Sequence, residues 1–347
     1  MMKTYNLPTL SFSRLALFDR SPYQYHKKYI LGEEVEKDRT VLDIGSAVDC
    51  LITQPDDFHN LFVVSTVKEP TAMMRDYVKY LFKYYIFFSQ EYPMPDLEGI
   101  DIVGMAEEKA YHEAGFKISK DAVKERFAKE GAEYFNFLIK SQGKMTISFE
   151  NFTKAQQAAN ILKTNKFTAK YLSETLAGNK ERFYQLEDEF TFDGVSYRSK
   201  LDCVIVDHDE KTIQPLDIKT TGDSPYAFVK SMHRYRYDLQ AVIYSHYIST
   251  KFIVDKNLTG YTILPFKFIV INVEYPNNPL IFKFSDEDFM AAKLGLKAGY
   301  NIRGIWDIMD DLEWHISNDL WEYKRNVYEA DGEITTNMYD KNKVSEE

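Results

Sequence analysis

Asp202 and the triplet Asp217-Ile218-Lys219, whose aspartate follows fifteen residues after Asp202, are the residues of this chain whose types and spacing could do chemistry. Two carboxylates and an amine at neighbouring strand ends suit a hard divalent cation, because Mg²⁺ takes one or two carboxylates and fills its shell with water and phosphate oxygens. A metal there would polarise a phosphate oxygen and acidify a bound water. The lysine would orient or deprotonate the nucleophile and offset transition-state charge. The chemistry implied is phosphodiester hydrolysis. The D-x14-D-x-K spacing is weak evidence alone, since charged strand ends are usually just solvated.

The elements around these residues must bring them together. Tyr184 to Phe192 carries apolar residues at 184, 186, 190 and 192, the period of a half-buried strand, and Asp193-Gly194 offers a hairpin turn. A second strand is expected from about Val195 to Val206. After the polar turn Asp207–Glu210 a third runs from Thr212 to Lys219. On that strand Asp217 and Lys219 share a face while Ile218 points the other way, and Asp202 on the middle strand can reach the same face. A Gly-Asp-Ser-Pro turn then leads into an expected helix, Tyr226 to Thr250, with Tyr237, Gln240, Tyr244 and Tyr247 at helical spacing.

The blocks Lys200-Leu201-Asp202, Leu216-Asp217-Ile218-Lys219-Thr220-Thr221 and Tyr235 to Ser245 together resemble the nuclease core of the PD-(D/E)XK superfamily, in particular its exonuclease VIII and RecB-type branch. Ser11-Phe12-Ser13-Arg14-Leu15 with Ser21-Pro22-Tyr23-Gln24-Tyr25 resembles that family's opening helix. Leu42 to Cys50, with Pro55-Asp56-Asp57-Phe58, resembles its next motif. The blocks span roughly residues 11 to 64 and 181 to 248.

The resemblance implies an α/β fold with a restriction-endonuclease-like core, a central mixed sheet flanked by helices, and a helical insertion. One domain is expected over 1–340, with N-terminal motifs at 11–64, a mostly helical region at 70–178, a catalytic core at 181–250, C-terminal strands and helices at 260–335, and a polar tail at 340–347. By resemblance Asp202 and Asp217 are metal ligands, Lys219 is the catalytic lysine, and Gln240 positions water or the scissile phosphate, supported by Tyr244. The family's Gly-x-x-x-His motif places a metal-binding histidine where this chain has Asp49. An aspartate can still take a hard metal, so Asp49 is a third candidate ligand. The cofactor implied is Mg²⁺, with Mn²⁺ as an alternative.

Other residues have two readings. Gln240 and Tyr244 could equally be the polar seam of a helix packed on a sheet. Glu187 and Glu189 could reach a metal through water or form the wet side of a strand. Ser13 is expected as a helix N-cap with Arg14 beside it, a pairing that suits a terminal 5′-phosphate but also serves plain capping and solvation. His26, Lys27 and Lys28 could lie along a DNA path, and Lys230, His233, Arg234 and Arg236 gather positive charge after the candidate active strand.

That gathering matters because the net charge is -10, which argues against whole-surface DNA binding. With 347 residues, 44% hydrophobic and 15% aromatic, the chain can bury a sizeable core. Two cysteines, Cys50 and Cys203, are too few for an iron–sulfur cluster and are expected to be buried and unpaired. Gly143-Lys144 lacks the rest of a phosphate-loop motif, so ATPase activity is not expected. Met1 to Leu10 has no apolar core and no run is long enough to span a membrane, which points to a cytoplasmic protein with the Asn-x-Thr triplets at Asn151 and Asn257 unglycosylated, and the resemblance implies that the cell is bacterial or phage-infected.

Further helices are expected at Tyr77–Tyr92, Ala106–Ala114, Lys120–Ser141, Thr153–Leu172 and Asp286–Asp310, and a strand at Lys267–Tyr275, with Trp306, Trp314 and Trp321 pinning the C-terminal region. The resemblance implies a metal-dependent DNA exonuclease working from duplex ends, 5′ to 3′, and leaving 3′ overhangs for recombination. It also implies a homo-oligomer and a single-strand annealing partner. The alternatives are a catalytically weak DNA-end-binding scaffold and a structure-specific endonuclease of the same fold.

Overall fold

The computed structural model describes residues 5, 7–33, 39–65, 67–93, 99–141, 144–296 and 302–334. The expected polar tail at 340–347 lies outside them, as do the side chains of Leu42 and Asp43. The chain divides into two compact units, one comprising 1–55 and 155–347, the other 56–154.

The larger unit is built on a mixed six-stranded sheet. Its strands are β1 (Lys180–Phe192), β2 (Val195–Asp207), β3 (Thr212–Thr221), β4 (Thr262–Ile263), β5 (Lys267–Asn272) and β6 (Leu280–Lys283). The spatial order is β1-β2-β3-β5-β6, and the short β4 also pairs with β3. The hairpin β1-β2 turns at Asp193 and Gly194, both at positive φ, and β2-β3 continues antiparallel. β3 and β5 run parallel and β6 returns antiparallel, so the connection from β3 to β5 must cross over and carries helices.

Those helices are α3 (Phe228–Tyr235) and α4 (Tyr237–Ile248), preceded in the chain by α1 (Phe12–Arg20) and α2 (Arg39–Thr53) and followed by α5 (Ile305–Asn318). The single helix expected over Tyr226–Thr250 is two helices. Arg236 stands between them in the left-handed region at φ 55, and the chain bends there. Leu239 to Tyr244, Tyr247 and Ile248 are all buried, so α4 is wrapped in core rather than amphipathic. Its core partners include Leu10, Leu15, Phe18, Leu201, Val204, Phe268, Val270, Ile308 and Leu312.

The helix expected over Asp286–Asp310 is likewise broken. Asp286–Leu294 ends at Gly295, at φ 83, and α5 begins after Gly304, whose Cβ, if present, would lie 2.5 Å from the Gly295 nitrogen. Of the tryptophans, Trp321 is buried and stacks on the half-buried His26 at 4.9 Å. Cys50 and Cys203 are buried and free.

The smaller unit is mostly helical. Ala72–Glu91, Ile102–Ala114, Lys120–Arg126 and Ala132–Lys140 enclose Met74, Tyr77, Val78, Leu81, Ala106, Ala110 and Tyr134, and a two-stranded parallel sheet pairs Phe62–Ser65 with Met145–Ser148. The aromatic stripe of Ala72–Glu91 accordingly packs on this core through Tyr77 and Phe88, while Phe87 is exposed. No helix among the described residues is long and apolar enough to cross a membrane.

Candidate active site

The site grows out of the end of the β1-β2-β3 ladder. The last β2-β3 pair is Cys203 with Leu216, and continuing that register sets Asp202 opposite Asp217. Two like charges facing each other across strands repel, and each needs its own compensation. Asp202 Oδ2 accepts the Ile218 backbone N–H at 2.9 Å. Asp217, 2% exposed, accepts the Gln240 amide N–H on Oδ1 at 2.6 Å and has the Lys219 ammonium 2.6 Å from Oδ2.

Lys219 is held from both sides. Its Nζ lies 4.5 Å from the centre of the Tyr237 ring, on the first turn of α4. Burial pushes its pKa down, but the charges of Asp217 and Asp202 outweigh burial and raise it, so the amine is an ammonium at neutral pH. In this state Lys219 is a cation that stabilises and orients, not a ready base.

Asp49 enters from α2. Gly45 makes its approach possible: a Cβ there would lie 2.7 Å from Thr220 Oγ1 on β3, so the glycine lets α2 rest on the strand that bears Asp217 and Lys219, and Asp49 follows one turn on. Its Oδ2 accepts the Gln185 amide N–H at 2.8 Å. Burial, then the charge of Asp217, raises the Asp49 pKa to about 6 against the relief from Gln185. Burial, then Asp217 and Asp49, holds Asp202 well above the ordinary carboxylate range.

Acceptors outnumber donors here. Asp49 Oδ1 and Gln240 Oε1 are buried without a protein donor, and Asp217 Oδ2 has only the Lys219 ammonium. Asp49 and Asp202, pushed up by burial and then by neighbouring carboxylates, stand with Asp217 beside orphaned oxygens as an acceptor set that fits a hard cation. Among the described residues no three His, Cys, Asp or Glu side chains already converge as a metal cage. Mg²⁺ does not require one, being held by one or two carboxylates with water and substrate phosphate.

The remaining sequence candidates fall out differently. Tyr244 is 5% exposed, one turn beyond Gln240, with its ring 6.2 Å from that of Phe12 and its hydroxyl at the Lys200 backbone. Ser13 is not the cap. Ser11 caps α1, its hydroxyl accepting the Arg14 N–H, because Ser11 is the last extended residue before the helix and Ser13 already lies within it. The Arg14 guanidinium donates to the Thr9 carbonyl and lies 4.9 Å from the centre of the Tyr29 ring.

Arg236 is a structural staple, which corrects its reading as a DNA contact. With 12% of its side chain exposed, it pairs with Asp19 and Asp238 and donates to the Arg303 carbonyl at 2.7 Å. Lys230, His233 and Arg234 do occupy the exposed side of α3. Glu187 pairs with Arg198 on the solvent side of the hairpin, and Glu189 is exposed. Gln185 was not among the residues picked from the sequence, and nothing in the local pattern marks it, since a glutamine in a strand is ordinarily surface.

Residues 109–326 match the family model described as "PDDEXK-like domain of unknown function (DUF3799)", well over half of the chain. The chain belongs to that family. Asp202, Asp217, Lys219 and Gln240 all lie inside the matched stretch of this PDDEXK-like domain, while Asp49 lies before it. No curated protein matches the chain. Among solved structures, a protein of Eubacterium rectale described as "Putative exonuclease" aligns over 95% of this chain and 90% of that one, at 12% identity and a TM-score of 0.45.

Proposed function

We propose that this PDDEXK-like protein is a metal-dependent DNA nuclease, and within that class an exonuclease acting from duplex ends. The observation that carries the reading is the convergence of Asp202, Asp217, Lys219 and Gln240 where the β2-β3 pairing ends against α4. Asp202 and Asp217, with Asp49, are the residues that would hold the cation, Mg²⁺ or Mn²⁺. When bound, such an ion supplies Lewis acidity to the scissile phosphate and acidifies a water.

The protein's own groups supply the rest. Lys219, kept charged by its carboxylate neighbours, offsets the negative charge that grows on the phosphate in the transition state. Gln240 fixes Asp217 through Oδ1, so that the other carboxylate oxygen keeps one direction. The exposed Lys230 and Arg234 on α3, close in sequence to the site, are the phosphate contacts that a chain of net charge -10 must concentrate locally. Polarity 5′ to 3′, 3′ overhangs for recombination, a homo-oligomeric state, an annealing partner and a bacterial or phage-infected cytoplasm are parts of the proposal that rest on the resemblance alone.

A second reading is a DNA-end-binding scaffold with weak chemistry, and Asp49 in the place of the family's histidine favours it. Digestion of duplex DNA labelled at its 5′ or 3′ end, with a closed-circular control and Mg²⁺ or Mn²⁺, separates these readings. Loss of label from linear DNA alone supports the exonuclease. Cleavage of the circle indicates an endonuclease, and binding without cleavage under both metals indicates the scaffold.

A further inference from the structure

Gln185 stands in the middle of β1 at φ 50, a backbone region that a non-glycine residue seldom adopts and that costs free energy unless its surroundings enforce it. The ladder with β2 pairs Tyr184 with Cys203 and Leu186 with Leu201, so the register is kept on both sides and interrupted only where Gln185 faces Asp202. The interruption falls beside the candidate metal ligand.

What the distorted residue gains is specific. Its amide nitrogen donates to Asp49 Oδ2 at 2.8 Å and to Thr53 Oγ1 at 3.0 Å, and the Thr53 hydroxyl donates in turn to the Asp49 carbonyl at 2.9 Å. Both amide hydrogens are thereby committed, one of them to the carboxylate. Asp49 Oδ1 is left buried and without a protein donor. A histidine ligand would bring no charge, whereas an aspartate adds a third acid to Asp202 and Asp217 and needs a neutral donor to occupy one oxygen and aim the other.

We infer that Gln185 is the positioning residue that makes Asp49 usable as a metal ligand, and that the strained turn in β1 is kept for this purpose. The inference rests on the metal-dependent reading above. Residues that orient metal ligands from behind typically contribute ~10–100-fold in affinity.

The test is Mn²⁺ binding to the full chain without DNA, followed by the electron paramagnetic resonance of the free ion, with thermal unfolding measured on the same samples. Gln185→Gly removes the amide but relieves the positive φ, so the relief offsets part of the lost hydrogen bonds and the variant should stay folded and yet bind Mn²⁺ ~10-fold or more weakly. Gln185→Leu should weaken binding to the same extent whatever it does to stability, and Asp202→Asn serves as the control that the ion sits in this site. Wild-type affinity in both Gln185 variants, with Asp202→Asn impaired, would overturn the inference and leave the metal reading standing. A wild-type chain that binds no Mn²⁺ would overturn both.

Discussion

Gln240 on α4 and Asp217 on β3 are joined by a hydrogen bond of 2.6 Å, and both side chains are 2% exposed. A carboxylate buried to that degree cannot draw on water, so the amide and the Lys219 ammonium are its solvation. Gln240→Leu leaves Oδ1 unpaired in the core and should cost about 1–3 kcal/mol of stability, measured by urea unfolding. Cleavage should fall more steeply than stability, because the same bond fixes the carboxylate that would hold the metal.

Lys219 and Asp217 should be strongly non-additive. Removing one partner of a buried ion pair strands the other charge, at a cost of about 3–5 kcal/mol, whereas removing both strands neither member of the pair. Lys219→Met and Asp217→Asn should each destabilise clearly, and the double variant less than the sum of the two by urea unfolding. Each variant should lack nuclease activity.

Asp49 gives a pH signature. A carboxyl whose pKa is raised on folding binds more protons folded than unfolded between the two values, so stability falls as pH rises through that window. For Asp49 the window runs from 3.8 to about 6. Metal-free Asp49→Asn should therefore be more stable than wild type at pH 8, by about 1–2 kcal/mol once partial exposure screens the charge, and the gap should close as pH falls below the window. Mn²⁺ affinity of the wild type should rise across the same window, since a metal binds the deprotonated form.

Gly45 and Thr220 test how α2 is seated. Gly45→Ala sets a methyl group 2.7 Å from Thr220 Oγ1 and should cost about 1–3 kcal/mol by overpacking. Thr220→Ala removes the obstructing oxygen, and the pair should recover most of the lost melting temperature and Mn²⁺ affinity.

Arg234 and Arg236 stand two residues apart and should behave differently. Arg236→Met strands Asp238 and leaves Asp19 with Arg303 alone, and should lower stability by about 3–5 kcal/mol in thermal or urea unfolding. Arg234→Ala should leave unfolding unchanged, weaken DNA binding, and reduce the slope of log affinity against log salt by about one.

The three strands and the shared face of Asp217 and Lys219 were legible because a strand's period of two projects residues two apart to one side. The Asp-Gly turn fixed the hairpin. The α3–α4 break was hidden because Arg236 takes a left-handed conformation with no glycine to announce it, held there by Asp19 and Asp238, which are distant or inconspicuous in sequence. Ser11 and Ser13 are equally good caps by type, and only the point where the backbone leaves the extended region chooses between them. Gln185 was illegible for a deeper reason. Its conformation is set by Asp49 and Thr53, more than a hundred residues away, and no local propensity carries that information.

The central claim is that Asp217 and Lys219 form a metal-dependent phosphodiesterase site. It is tested most directly by digesting end-labelled linear duplex DNA with wild type, Lys219→Met and Asp217→Asn, each confirmed folded by circular dichroism, with Mg²⁺, with Mn²⁺ and with EDTA. The account predicts cleavage by the wild type in the presence of metal only, and none by either folded variant. Cleavage that survives EDTA, or undiminished cleavage by a folded Lys219→Met or Asp217→Asn chain, would contradict it.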